Sequence, residues 1–331
     1  MDDTGSDNLI VWILTEMVMG IVHIFQGIWM ALFGLFKLVT GYRPTYAEGE
    51  SAPVTPFDWI GWNGTTEAKQ SLMQFVYYGG SVEFFFIMLD LFLIVFIAGV
   101  FFRPFLWRVV RVLEGFANTV GRFFAWAGLL MVLQQVIIVF MQRIFTRPDI
   151  VFGFGIPLDF DISWYAEELK LYNAMVVALC LTYTFVQGGH VRVDLVYSAV
   201  SHRTKRVIDM FGSLAFMLPM AVMIWMYNWF FLWRSLIVPP VSPSDPLQRL
   251  EMKARALRWN VETIGFSPNG FTAYFLFKML MVALVGMIFI QAWAFFYRSY
   301  LEWVEGPESE GKYLDKDVLE EGEEPYDHAE F

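Results

Sequence analysis

The sequence predicts an all-α integral membrane protein of about six transmembrane helices with short interfacial amphipathic helices, and three observations carry that prediction. First, 57% of the 331 residues are hydrophobic and 18% aromatic, with only 17% charged, well outside the range of soluble domains. Second, apolar runs recur at the length of roughly 20 residues that a bilayer core about 30 Å thick requires. Third, basic residues gather in two short connections between those runs, as the positive-inside rule demands of cytoplasmic loops.

The first span covers 9–38, long enough to tilt or project. The segment 40–72 is rich in Pro, Gly and Trp and reads as a loop with interfacial Trp59 and Trp62. A second span covers 77–102. In the stretch 104–116, Leu106, Val109, Val110 and Leu113 share one helical face and Arg108 and Arg111 another, the pattern of a helix lying in the interface. Further spans follow at 123–144, 169–186, 210–233 and 271–296. The segment 145–168 reads as a surface loop. In 234–270, Leu247, Leu250, Ala254, Leu257 and Val261 fall at helical spacing, which predicts a second amphipathic helix.

The loop 103–122 holds Arg103, Arg108, Arg111 and Arg122, and the loop after the fourth span holds Arg192, Arg203, Lys205 and Arg206. Placing both in the cytoplasm puts both termini there and leaves 40–72, 145–168 and 234–270 outside. The last is basic too, but long loops obey the rule weakly.

The formal net charge of −10 belongs to one segment. From Glu302 to Phe331 twelve acidic residues face only Lys312 and Lys316, so 301–331 is expected to be an acidic, disordered cytoplasmic tail. Three regions result: an N-terminal two-span extension with its interfacial helix (1–117), a four-helix domain (118–300) and the tail (301–331). The acidic N-terminus lacks the basic n-region of a cleavable signal, so the first run is expected to remain as a span.

Signals for catalysis, metals or cofactors are missing from the sequence. A single cysteine, Cys180, rules out an intrachain disulfide and a CxxC site. Gly153-Phe154-Gly155 leads into Ile-Pro rather than a helix start, and neither G-x-S-x-G nor H-E-x-x-H occurs. The expected cofactor set is none, and nothing suggests nucleic acid.

Ionisable groups within spans are costly in lipid and therefore informative. His23 and Asp90 lie midway along the first two spans, and Lys37 and Glu83 share a leaflet; each pair is expected to clamp the hairpin, with a proton or ion relay as the competing reading. Lys278 is expected to snorkel or to meet a carboxylate of a partner subunit. Gln134, Gln135 and Gln291 are expected to pack in the core, with hydrogen bonds between helices as the alternative. His190, Arg192 and Asp194 alternate with Val191, Val193 and Leu195, so an extended segment presents them together, as an interfacial anchor or a subunit contact.

The stretch Tyr183–Pro219 carries a resemblance. An apolar run ends in Gly188-Gly189, HVRVD follows, and a basic link leads to Asp209-x-x-Gly212 and then Leu218-Pro219 inside the next span. With the segment 162–174 and Ile290-Gln291-Ala292, this resembles the small (DctQ-type) permease subunit of tripartite ATP-independent periplasmic (TRAP) transporters, over about 118–300. The first 117 residues have no counterpart in the usual four-helix subunit. The resemblance implies a bacterial inner-membrane scaffold that braces a large DctM-type permease. It also implies Na⁺-coupled uptake of an organic acid delivered by a periplasmic binding protein, with subunit contacts at His190, Arg192, Asp194, Asp209, Lys278 and Gln291. The residues alone leave two other classes open: a membrane anchor for a redox complex with His23 as a haem or quinone contact, and a proton-coupled transporter using Asp90 and His23.

Overall fold

A computed structural model describes residues 9–40, 75–76, 82–146, 149–152, 158–187, 200–240, 242, 248–249, 252–253, 256–265 and 267–315; the side chains at 27–28, 30–39, 82–84, 149–152 and 158–160 lie outside that description. The protein is helical almost throughout. In chain order come α1 (Leu9–Thr40), α2 (Val82–Phe101), α3 (Arg103–Arg143), strands β1 (Asp149–Phe152) and β2 (Leu158–Asp161), and α4 (Ile162–Gln187). Then follow α5 (His202–Gly212), a π segment (Ser213–Met217), α6 (Leu218–Arg234), β3 (Ile237–Val238), β4 (Arg258–Trp259), α7 (Phe275–Glu305) and a 3₁₀ turn (Pro307–Ser309).

Among the described residues, five helical stretches are long and apolar enough to cross a membrane: Leu9–Gln26, Arg103–Arg143, Ile162–Gln187, His202–Arg234 and Phe275–Glu305. The apolar part of α2, Phe85–Phe101, is shorter. This bears out the all-α membrane class.

Several local expectations change. The interfacial helix and the third span are one continuous helix, α3, so the expected boundary at 117/118 falls mid-helix. Gly115 and Gly121 do not break it, because buried Leu106, Trp107, Val110, Ala117 and Asn118 form one packed face across the junction. The segment 145–168 is a β-hairpin followed by the first turn of α4, in register Asp149↔Asp161 to Phe152↔Leu158. Asp161 accepts hydrogen bonds from the Ser163 N–H (2.9 Å) and Oγ (3.0 Å), and these, the backbone N–H first, hold its carboxyl below the usual range. In 234–270 the described residues are helical only at 248–249 and 252–253. Arg258 and Trp259 instead pair antiparallel with Ile237 and Val238, which ends the expected amphipathic helix before Leu257.

Pro219 is accommodated by the π segment. Proline lacks the N–H that would complete the helical ladder, and its ring crowds the carbonyl four residues back. Widening the preceding turn to i→i+5 relieves that crowding, and the Leu218 N–H bonds the Ser213 carbonyl in this way.

The chain groups into two compact bodies. In one (1–101, 220–266 and 272–282), α1 packs on α2, with Trp12 edge-on to Phe86 at 6.1 Å. There too, Val76 and Ile237 form a small core with Phe230, Trp233, Leu236 and Leu257. In the other (102–219, 267–271 and 283–331), α3 and α4 pack along most of their length. At one end of that pair, Ile138, Ile162 and Tyr165 are buried against Met141, Trp164 and Leu169. Midway, Gly121 lets the helices touch: its carbonyl accepts from Cys180 Sγ at 3.3 Å, and a Cβ there would run into the Tyr183 side chain.

Gly121→Ala is therefore expected to lower stability by about 1–3 kcal/mol through overpacking. Gly115→Ala, on the same helix but with nothing within 4 Å of the added Cβ, should be neutral or slightly stabilising. Thermal unfolding of the two full-length variants in detergent checks the contrast; equal midpoints would refute the close-packing account.

Candidate functional site: an ionic lock at one end of the bundle

The second body carries a buried charge network built from α3, α5, α7 and the segment after α7. Glu114 lies at i+4 from Val110 and i+8 from Leu106, so helical geometry places a carboxylate on the packed face of α3. Arg298 of α7 meets it as a two-pronged fork, Nε to Oε1 at 2.6 Å and Nη2 to Oε2 at 2.5 Å. Both side chains are more than nine-tenths buried. Such parallel charge-assisted bonds fix orientation as well as distance. The same guanidinium donates through Nη1 to the Lys312 carbonyl (3.0 Å) and sits 5.4 Å from the centre of the Trp107 ring.

Glu302, one helical turn beyond Arg298 and 2% exposed, links this fork to a second arginine. Its Oε1 lies 3.4 Å from Arg298 Nη1 and its Oε2 2.8 Å from Arg206 Nε on α5. Arg206 continues to Asp209 Oδ2 at 3.2 Å and Glu310 Oε1 at 2.6 Å. Four carboxylates thus surround two guanidiniums. His202 adds an imidazole at the edge, its Nε2 3.7 Å from Glu310 Oε2. Ser201 starts α5 as N-cap, accepting from the Thr204 N–H, and so holds Arg206 at this level.

The first part of the expected acidic tail belongs to this lock. Residues 301–315 are ordered: α7 runs to Glu305, Gly306 takes φ 92°, the chain makes a 3₁₀ turn, and Gly311 takes φ 71°. Those two positive φ values suit glycine alone at low cost. They fold the strand of chain back over α3, where Glu302 Oε1 accepts from the Gly311 N–H at 3.2 Å. Asp315 closes the strap. Its Oδ2 accepts from Asn118 (3.0 Å) and Arg122 (3.1 Å), and its carbonyl from Asn118 (2.8 Å) and Gln187 (3.0 Å). The Asn118 amide first, then Arg122, holds the Asp315 carboxyl below the ordinary range. Charge composition suggested disorder here; pairing with basic groups of the bundle overrides it.

Of the residues singled out in the sequence, Asp209 lies in the lock. His190, Arg192 and Asp194 fall within 188–199, outside the described residues. Lys278 pairs within its own body, 2.9 Å from Glu262 Oε2. Gln291 is 2% exposed; with Leu181, Thr182, Phe185, Met217 and Ile288 it lines a cavity of about 300 Å³. Gln291 Oε1 makes no hydrogen bond, and Thr182 Oγ1 likewise has no partner. Gln134 does bond, to the Tyr165 carbonyl (3.0 Å) and Glu168 (3.1 Å).

In the other body Asp90 is 2% exposed, its Oδ2 set against Gly20. Asp90 Oδ2 and His23 Nδ1 are both buried without a hydrogen-bond partner, and no bond joins the two residues: the expected clamp is not made. Lys37 and Glu83 fall in α1 and α2 with side chains outside the description. Among the described residues no group of three or more His, Cys, Asp or Glu is placed to hold a metal ion.

Sequence reasoning missed Glu114, Arg298, Glu302 and Glu310. The signal was present: Glu114 occupies an apolar helical face, and Arg298 and Glu302 sit at i, i+4 just beyond an apolar span.

Because breaking one partner of a buried pair strands the other charge, Arg298→Gln is expected to cost about 3–5 kcal/mol. Glu114→Gln combined with Arg298→Gln should recover much of that loss. Thermal unfolding of the full chain checks both; a double variant no better than the single would show that Glu302 rather than Glu114 is the essential partner.

Comparison with known proteins adds a family. No curated protein and no solved structure matches the chain. A family model does: residues 136–238 match the DctQ component of tripartite ATP-independent periplasmic transporters. The matched segment contains the end of α3, the hairpin, α4, α5, the π segment, α6 and β3, and with them Arg206 and Asp209 of the lock. Residues 136–238, about a third of the chain, are thus similar to the DctQ component of the TRAP transporters, a family of transporter components.

Proposed function

We propose that the protein is the scaffold-type small permease subunit of a TRAP system, without enzymatic activity of its own. The single observation that carries this is the DctQ match lying on a bundle whose helices are tied at one end by an ionic lock. In this reading the chain sits in the bacterial inner membrane with both termini in the cytoplasm. It braces a large DctM-type permease while a periplasmic binding protein delivers an organic acid and Na⁺ drives uptake. Loop charge supports the orientation, because the lock end of the bundle gathers Arg103, Arg108, Arg111, Arg203 and Lys205. The lock supports bracing: fixed charge pairs hold α3, α5 and α7 in one relative arrangement. His190, Arg192 and Asp194, which follow α4 in the sequence, are proposed as a subunit contact on the alternation of polar and apolar residues alone.

Proteoliposomes containing this chain alone should show no solute uptake. Adding the large permease and the binding protein should produce uptake that requires a Na⁺ gradient. Uptake by the isolated chain would overturn the scaffold reading.

One observation favours a second reading for the α1–α2 hairpin, proton coupling through Asp90 and His23: buried Asp90 and part-buried His23 lie in one helix pair, and Asp90 Oδ2 and His23 Nδ1 are unpartnered. In the assembled system Asp90→Asn should then reduce uptake while leaving the complex intact by size-exclusion chromatography. Unchanged uptake would make the pair purely structural.

A further inference from the structure

We infer that residues 316–331 bind back within the same chain onto the basic outer face of the N-terminal half of α3. That half, 103–122, presents two parallel stripes away from the packed core. Arg108, Arg111 and Arg122 stand at i, i+3 and i+14, within about 60° of one another on a 3.6-residue period. Phe105, Val112 and Phe116, at i, i+7 and i+11, form the neighbouring stripe and are 42%, 69% and 50% exposed. Arg108 is exposed and makes no ion pair or ring contact among the described residues.

An anionic leaflet is the usual occupant of such a face, but helix geometry places it out of reach. α3 is unbroken over 41 residues, about 60 Å, twice the hydrocarbon thickness. The 21 residues from Phe123 to Arg143 already match that thickness. The lock then pins 103–122 against α5 and α7, through Glu114 and Arg298, rather than letting it bend flat onto the membrane. Phe105, Val112 and Arg108 consequently face water beyond the bilayer.

The chain itself supplies the complementary segment. Asp315, its carboxylate paired with Arg122 at 3.1 Å, already lies on the basic stripe. The next sixteen residues contain seven acidic side chains against Lys316 alone, interspersed with Val318, Leu319, Tyr326 and Phe331. Sign and apolar content therefore match the two stripes. Reach is ample: sixteen extended residues span at most about 55 Å, while Arg122 to Arg108 is about 21 Å along the helix. The tether keeps the acidic segment at roughly millimolar effective concentration. The α3 face is thus self-occupied, and an acidic partner must displace 316–331 to use it.

Spin labels at Thr119→Cys and Gly322→Cys, in the full chain reconstituted in zwitterionic nanodiscs, test this by pulsed electron–electron distance measurement. Cys180 is buried and stays. One short, narrow distance population is expected, and 1 M NaCl should widen it about twofold, since screening then falls to about 3 Å. Arg108→Glu should also widen it; this side chain has no partner to lose among the described residues, so the fold is retained. Adding Glu320→Lys and Glu321→Lys to that variant should restore the narrow population. A broad distribution insensitive to salt and to charge reversal would overturn the inference. So would release of the tail in nanodiscs of anionic lipid with protection of the Thr119 label from aqueous quenchers, which would make the leaflet the occupant.

Discussion

The arrangement of the second body depends on one interaction, the fork between Arg298 and Glu114. Neither group tolerates burial alone, since an isolated charge in a low-dielectric site costs many kcal/mol. Together they accept only a narrow range of positions, because two parallel bonds fix the guanidinium plane on the carboxylate. Everything adjacent is registered from that plane. Glu302 reaches Arg298 and Arg206 because it is one turn further along α7. The strap returns over α3 because Arg298 offers a donor to the Lys312 carbonyl, and Trp107 is held by its Nε1 bond to Glu305 at 2.9 Å. A buried pair of this kind contributes little net stability compared with a well-packed apolar replacement. Its yield is geometry: one relative placement of α3, α5 and α7 instead of several.

That placement answers a difficulty particular to membrane helices. Inside lipid the hydrophobic effect gives no preference for helix contact over lipid contact. The apolar parts of these helices accordingly leave large side chains exposed, among them Leu129, Val132 and Val136 on α3 and Met220 and Met223 on α6. Packing there relies on close approaches such as Gly121 against Tyr183. The charges are gathered instead at the ends of the apolar stretches, where long helices overshoot the bilayer and ionic groups are cheaper to desolvate partly than they are at mid-membrane.

Much of this was legible in the chain. Spans, class and the DctQ-like segment follow from apolar runs, loop charge and the order of motifs around Gly188, Asp209 and Pro219. The failures share a cause. The interfacial helix at 104–116 was read apart from the third span on its amphipathic pattern and its arginines, yet Ala117, Asn118 and Gly121 are buried contacts that a hydropathy pattern does not display. Disorder after residue 301 was read from composition, which counts acids without knowing that Arg206, Arg298 and Arg122 wait for them. Asp90 and His23 were paired because both lie at mid-span; depth alone does not specify a hydrogen bond, and Asp90 Oδ2 and His23 Nδ1 are each left without a partner.

The same reasoning says where conformational freedom can enter. A body registered by a fork of two side chains moves as a unit while the fork holds, so any conformational adjustment must fall outside α3, α5 and α7 at the lock. Two places meet that condition. One is the helix from His202 to Arg234 beyond Asp209, where the π segment leaves the ladder widened just before Pro219 and bending is least costly. The other is the strap, whose hold through Glu310 and Asp315 lies on half-exposed carboxylates that solvent screens far more than the buried fork. Graded strength, from a buried fork outward to exposed acids, gives a helix body that stays rigid at its centre and remains adjustable at its edge.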